Sequence, residues 1–238
     1  MLKHVGKFAV VALLAAAGAG CAFKSGRDFV KPIDATLVMG KTTESDVLKL
    51  YGKPEKEATH VSSGDEAQPN QGTPSEFAGV IVAGAYHSVT YEYMERQPPM
   101  AGGGIAVRDV NFVFLDGVLV SYNFVSNFPN DSSNFDETKF ASLQKGKTTE
   151  PEMTALLGAP TGRAIYPGVR TRGNYKLIYS YVTYDPGVRK ISNKVLVGLF
   201  GADGRLIDYQ FNGGTSDAPA PQQGGGGYAP VFIPLPHK

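Results

Sequence analysis

The triplet Gly-Lys-Thr, which in a nucleotide-binding loop places a lysine and a hydroxyl on phosphate oxygens, occurs twice in this 238-residue chain. It stands within "GKTTE" at 40–44 and again at 146–150. A phosphate cradle also needs a glycine five residues earlier, so that backbone N–H groups can wrap the anion ahead of a helix. Those positions hold Ala35 and Ala141, and neither copy follows an apolar β-branched run that would supply the preceding strand. Other chemistry is as sparse. The histidines are His4, His60, His87 and His237, none with a second ligand at metal spacing. There is no Gly-x-Ser-x-Gly elbow for a nucleophilic serine. These patterns predict a protein that is not an enzyme, with no catalytic residue, no metal and no cofactor.

The single cysteine, Cys21, follows a segment with the shape of an export signal. Lys3, His4 and Lys7 form a cationic start, and Phe8 to Ala19 is an uncharged, alanine-rich run too short to span a bilayer. Gly18-Ala19-Gly20 then leads into Cys21, which has no second cysteine for an internal disulfide. Lys plus Arg (23) nearly balances Asp plus Glu (22), so no basic field exists at the level of the chain and nucleic acid is not expected as a partner.

The duplicated pentapeptide opens a longer repeat. "GKTTESDVLKLYGKP" (40–54) and "GKTTEPEMTALLGAP" (146–160) agree at eight of fifteen positions. In each, Thr43 or Thr149 stands three residues before Asp46 or Glu152, the spacing of an acidic capping box that satisfies free N–H groups at a helix start. Val47, Leu50 and Tyr51, and Met153, Leu156 and Leu157, then recur at helical spacing. Gly52 and Gly158 read as C-caps, with Pro54 and Pro160 preventing continuation. Downstream, "VTYEY" (89–93) and "LIYSY" (177–181) alternate as half-buried strands. "FLDGVLVSYNF" (114–124) and "FGADGRLIDYQF" (200–211) carry a hairpin signal, Asp116-Gly117 and Asp203-Gly204, between alternating runs. Short helical candidates precede each capped helix, at 32–39 and 136–145.

This reading predicts an α+β fold of two tandem repeats, each two short helices packed on a three-stranded antiparallel sheet. The divisions are a signal peptide at 1–20, an anchor linker at 21–29, repeat 1 at 30–128, repeat 2 at 129–212 and a tail at 213–238. Repeat 1 carries an insertion at about 59–79, rich in Ser, Gly, Pro and Gln, expected as a mobile surface loop. The tail reads by composition as an unstructured tether, the alternative being a tether that ends in a short docking peptide at its one apolar stretch, Val231 to Pro236.

Two resemblances follow from these motifs. Residues 1–22 resemble the signal and lipobox of bacterial lipoproteins, in which the cysteine at the position of Cys21 becomes the acylated first residue. Ala22, where an aspartate would favour inner-membrane retention, implies the periplasmic side of the outer membrane of a Gram-negative cell. Residues 30–212 resemble the SmpA/OmlA domain, the fold of the small lipoprotein subunit of the outer-membrane β-barrel assembly machinery. A tandem of such units is also similar to the secreted β-lactamase-inhibitor protein.

The resemblance implies a lipid-anchored scaffold or accessory subunit that binds envelope proteins, including barrel-assembly components. The alternatives are an inhibitor of a periplasmic or secreted hydrolase, acting through the 59–79 insertion, and a module that binds cell wall or a lipid surface. The candidate binding surface is the set of strand tyrosines Tyr91, Tyr93, Tyr122, Tyr179, Tyr181 and Tyr209, which would supply amphipathic contact area.

Overall fold

The computed structural model describes residues 24–32, 36–64, 76–96, 104–185, 188 and 190–217. The signal peptide, Cys21, residues 65–75 of the insertion and the tail beyond Asp217 lie outside them. The order is β1 (Lys24–Gly26), α1 (Glu44–Tyr51), β2 (Lys56–Ser62), β3 (Gly84–Arg96), β4 (Ile105–Leu115) and β5 (Val118–Ser126). A short 3-10 helix (Glu137–Ser142), α2 (Glu150–Leu157), β6 (Gly162–Ile165), β7 (Tyr175–Asp185), β8 (Lys190–Phe200) and β9 (Leu206–Asp217) follow.

The two "GKTTE" segments do the same local work. At α1 the Asp46 N–H donates to Thr43 Oγ1 (3.2 Å) and the Thr43 N–H donates to Asp46 Oδ2 (3.1 Å). At α2 the Thr149 N–H donates to Glu152 Oε2 (2.7 Å) and the Thr149 hydroxyl donates to the same oxygen (2.9 Å). Hydrogen bonds from Thr43, side chain first and then backbone, hold the Asp46 carboxyl below its usual range; backbone and then side-chain bonds from Thr149 do so for Glu152. Each segment also adds to the edge of its hairpin. Gly40 and Gly146 donate to the carbonyls of Leu119 and Leu206, whose own N–H groups donate to Thr42 and Thr148. The helices end where Gly52 (φ 74°) and Gly158 (φ 88°) donate to Leu48 and Thr154 carbonyls.

The expectation of two helices on a three-stranded sheet in each repeat is overturned. The strands form one antiparallel sheet of nine, in the order β1-β3-β4-β5-β6-β7-β8-β9, with β2 also paired to β3. Among the described residues each repeat has one α-helix, and the candidate at 136–145 is only the 3-10 helix. No helix occurs among the described residues of 32–39. The sheets merge because β6 pairs with its own β7 and with β5 of the preceding repeat, Ser121 opposite Ala164 and Asn123 opposite Gly162. Opposite residues share a face, so the row Tyr122, Arg163, Leu177 shows that α1 and α2 cover the same face of the joined sheet.

The repeats correspond strand by strand. Lys56 opposite Thr90 matches Gly162 opposite Ile178, and both hairpins carry a bulge before the turn, between Val113 and Phe114 and between Leu199 and Phe200. The turns differ by one residue. Asp116 (φ 49°) and Gly117 (φ 79°) form a two-residue turn with both φ positive; in the second hairpin Gly204 donates to the Gly201 carbonyl and alone takes positive φ (75°).

The core of the first repeat joins Val47 and Tyr51 of α1 to Val89, Tyr91, Phe112, Phe114, Leu119 and Phe124. That of the second joins Met153 and Leu157 of α2 to Leu177, Tyr179, Leu196, Phe200 and Leu206. Burying each of these side chains contributes about 1.5–3 kcal/mol. Leu50, expected on the apolar stripe of α1, is 57% exposed. A smaller cluster on the opposite face packs Phe77 with Val169, Val197 and Leu199. Phe77 belongs to the end of the insertion, so this part of the expected mobile loop is docked. The Val80 N–H beside it donates to the Pro167 carbonyl (2.8 Å), and the buried Lys176 Nζ donates to the carbonyls of Phe77 (2.7 Å) and Gly168 (2.6 Å). Burial pulls the Lys176 amine down to about 8. The start of the insertion is strand, since Thr59 to Ser62 belong to β2.

Candidate functional site

Four of the six candidate tyrosines are in the cores and offer no binding surface. Tyr91 is 1% exposed and donates its hydroxyl to the Gly52 carbonyl (2.8 Å), fastening α1 to β3; burial pushes its phenol up to about 12. Tyr93 stacks on Phe128 and donates to Glu95, a bond that raises its phenol pKa. Tyr122 packs against Phe112, and Tyr179 sits edge-on to Phe135. Strand tyrosines are consumed in this way because a strand beneath a helix turns every second residue into the core.

Tyr181 and Tyr209 differ. Both are only partly buried, at the rim of the second core with Phe140 and Leu156. Beside them Phe211 is 40% exposed; further along the same strand the bulge residue Ile207 is 43% exposed. Phe211 meets Phe140 edge-on at 5.0 Å. Two cations flank the patch. The Lys145 ammonium lies 6.0 Å from the Tyr209 ring and pairs with Asp208; that of Lys194 lies 5.8 Å from the Tyr181 ring and 3.3 Å from Glu137. The remaining candidates are structural: Thr43, Asp46, Thr149 and Glu152 as caps, Gly52 and Gly158 as helix ends, Asp116, Gly117, Asp203 and Gly204 as turns.

What sets this patch apart is the sheet edge beneath it. Tyr122 and Phe124 of the first repeat occupy the positions of Tyr209 and Phe211, and they are 2% and 0% exposed. They are covered because the outer side of β5 is filled. Phe124 donates its N–H to the Thr161 carbonyl (2.8 Å), Tyr122 faces Arg163 of β6, and the Lys31 ammonium sits 5.7 Å over the Phe124 ring. On β9 the equivalent edge has no strand among the described residues. Among the described residues, main-chain bonds from outside reach its first residue, Leu206, from Gly146 and Thr148. The Tyr209 N–H turns to its neighbour's carboxylate, Asp208 Oδ1, at 2.7 Å. Sequence could not separate the two edges, because Tyr-x-Phe is the same at 122–124 and 209–211.

No catalytic constellation accompanies the edge. Among the described residues no group of three His, Cys, Asp or Glu side chains is placed to hold a metal ion. A shallow depression of about 760 Å³ beside α2 is lined by Glu150, Thr154, Tyr175 and Asp203. Burial first, then the Glu150 carboxylate, raises the Tyr175 phenol pKa, which removes it as a base. An exposed strand edge with apolar side chains on one face does suit addition of a further strand, in which main-chain bonds give affinity and alternate side chains give selectivity.

No family model matches the chain, and no curated protein matches it. Among solved structures, a crystal structure described as a "putative beta-lactamase inhibitor protein" from Streptococcus mutans is similar over 75% of this chain and 91% of that chain, at 13% identity and a TM-score of 0.39. A likeness of that strength carries no argument about fold or activity. The SmpA/OmlA resemblance therefore rests on the capped-helix and hairpin motifs alone.

Proposed function

We propose that this chain is a lipid-anchored envelope protein that binds another protein by strand addition at the open edge of β9, as a scaffold or accessory subunit on the outer membrane. One observation carries the reading: the outer side that the first repeat covers with β6 has, in the second, no strand paired to it among the described residues, and Phe211 is 40% exposed where Phe124 is fully buried. The anchor is argued from the sequence around Cys21. A strand edge of this kind is an aggregation hazard unless something is meant to sit on it.

A photo-crosslinking residue placed at Ile207 or Phe211 in native envelopes should capture one discrete partner, and the same residue at the exposed Leu50 on α1 should not. Capture of the same proteins from both places, or none from β9, would remove the edge as the binding site. Cys21→Ser should release the protein from the membrane fraction; barrel-assembly proteins captured only by the anchored form would identify the scaffold's partner.

A second reading, inhibition of a periplasmic hydrolase through the insertion, is favoured by the way that segment is held. Its described ends are held, at one side by β2 on β3 and at the other by Phe77 and Val80 on the second repeat, and fixing the ends of a binding segment lowers the entropic cost of association. Retention of a soluble hydrolase equally by the anchored and Cys21→Ser forms would decide for it.

A further inference from the structure

The chain contains a segment whose residue pattern matches the open edge. In the first repeat the residues whose N–H and C=O groups face outward from β5 are Tyr122 and Phe124, shown by the bond from the Phe124 N–H to Thr161. The bulges fall at the same place in both hairpins, so the outward-facing residues of β9 are Tyr209 and Phe211, followed by Gly213. A strand added antiparallel there sets its own inward-facing residues directly opposite these, with side chains on the same, helix-covered face. The occupant therefore needs apolar side chains at alternate positions, and free N–H groups at those same positions.

We propose that the segment Ala229-Pro230-Val231-Phe232-Ile233-Pro234-Leu235 of this chain is that occupant, adding to β9 as an antiparallel edge strand that covers Tyr209 and Phe211. Its prolines, Pro230, Pro234 and Pro236, all fall at even-numbered positions. With the odd-numbered residues facing β9, the ladder uses the N–H groups of Val231, Ile233 and Leu235, and every missing proline N–H points to solvent. Edge strands accept proline only in that arrangement, where it also blunts the new outer edge. The opposite register places prolines in the ladder. The same choice turns Val231, Ile233 and Leu235 onto the face where Phe211, Tyr209 and Phe140 stand partly exposed.

The connection is long enough. Residues 218–230 lie between the end of β9 and Val231; they can span at most about 45 Å. The return from Asp217 to the level of Phe211 is about 20 Å. The chain's other candidate, β2 of a second copy, suits the edge less well. It sets Glu57 where the internal joint has Arg163, whose guanidinium pairs with Glu150.

The inference uses the same edge as the proposed function but does not depend on there being a partner, so its test is made on the isolated protein. Residue-resolved amide hydrogen exchange is measured on the full chain carrying Cys21→Ser, and on the same chain ending at Asp217. The Phe211 and Gly213 amides should exchange at least ~10-fold more slowly in the full chain, as amides in a paired edge do relative to open ones. Within the full chain, Val231→Pro or Ile233→Pro should abolish that protection, and Phe232→Pro, whose N–H faces away, should retain it. Equal rates with and without the segment would overturn the proposal. So would equal damage from Phe232→Pro and Ile233→Pro, or protection that rises with protein concentration, which would assign the edge to a second copy. The proline variants decide the matter even if the shortened chain fails to fold. Crosslinking from Phe211 in envelopes reads the partner separately.

Discussion

Replacing Asp109 with asparagine should stabilise the protein in a pH-dependent way. Asp109 lies on β4, on the face of the sheet away from α1, directly opposite Glu92 of β3 and Val125 of β5. Its Oδ2 is buried without a hydrogen-bond partner. Burial, and then the charge of Glu92, push its carboxyl from 3.8 up to about 7, with Lys56 opposing. A shift of that size corresponds to about 4 kcal/mol between the two protonation states. Because Asp109 keeps partial contact with solvent, screening reduces the expected effect to about 1–3 kcal/mol.

The direction follows from proton counting. Between about pH 4 and 7 the folded protein holds a proton that the unfolded chain has released, so stability falls as pH rises through that window and the full penalty is present above it. Asp109→Asn removes the titration and leaves a neutral side chain of the same shape. Urea unfolding of both proteins from pH 4 to 8 should give curves that coincide near pH 4 and diverge up to about pH 7, with the variant the more stable. A constant difference across the range would refute the linkage. A variant less stable at every pH would mean that the carboxylate is ionised and acts as a partner for Lys56, against the reasoning from burial.

Thr43→Ala and Thr149→Ala should each cost about 1 kcal/mol, because each frees groups of a closed capping box at a helix start; chemical denaturation reads this directly, and a change in partner capture at unchanged stability would contradict the assignment. The twin substitutions Phe124→Ala and Phe211→Ala, both made in the chain ending at Asp217, test whether the two edges differ in themselves. At the fully buried site the loss should be about 3–5 kcal/mol, and at the 40% exposed site roughly half of that, so equal losses would show that the second edge is covered as well as the first.

Much of the local structure was legible because its signals act over a few residues. The threonine-to-carboxylate spacing, the glycines at helix ends and the Asp-Gly turns specify conformation through bonds that close within one turn of chain. The insertion was misjudged at both ends for a different reason. Lys56 to Ser62 carry no apolar alternation, since β2 lies at the edge with every side chain but that of Ser62 in solvent. Phe77 is placed by a cluster whose other members are about ninety or more residues away in sequence.

By itself, then, the sequence determined that the chain is built from two equivalent units, where each unit's helix begins and ends, and which strands form hairpins. The tertiary structure alone decided what became of the tyrosines and the edges. Tyr122-Asn123-Phe124 and Tyr209-Gln210-Phe211 have the same pattern, and both are strand at corresponding positions after the bulge. One is buried because the second repeat lends β6 to its open side; the other is exposed because, among the described residues, no strand pairs with its outer side. A strand's exposure depends on the strand beside it, and that neighbour is chosen by long-range pairing that short-range pattern does not encode.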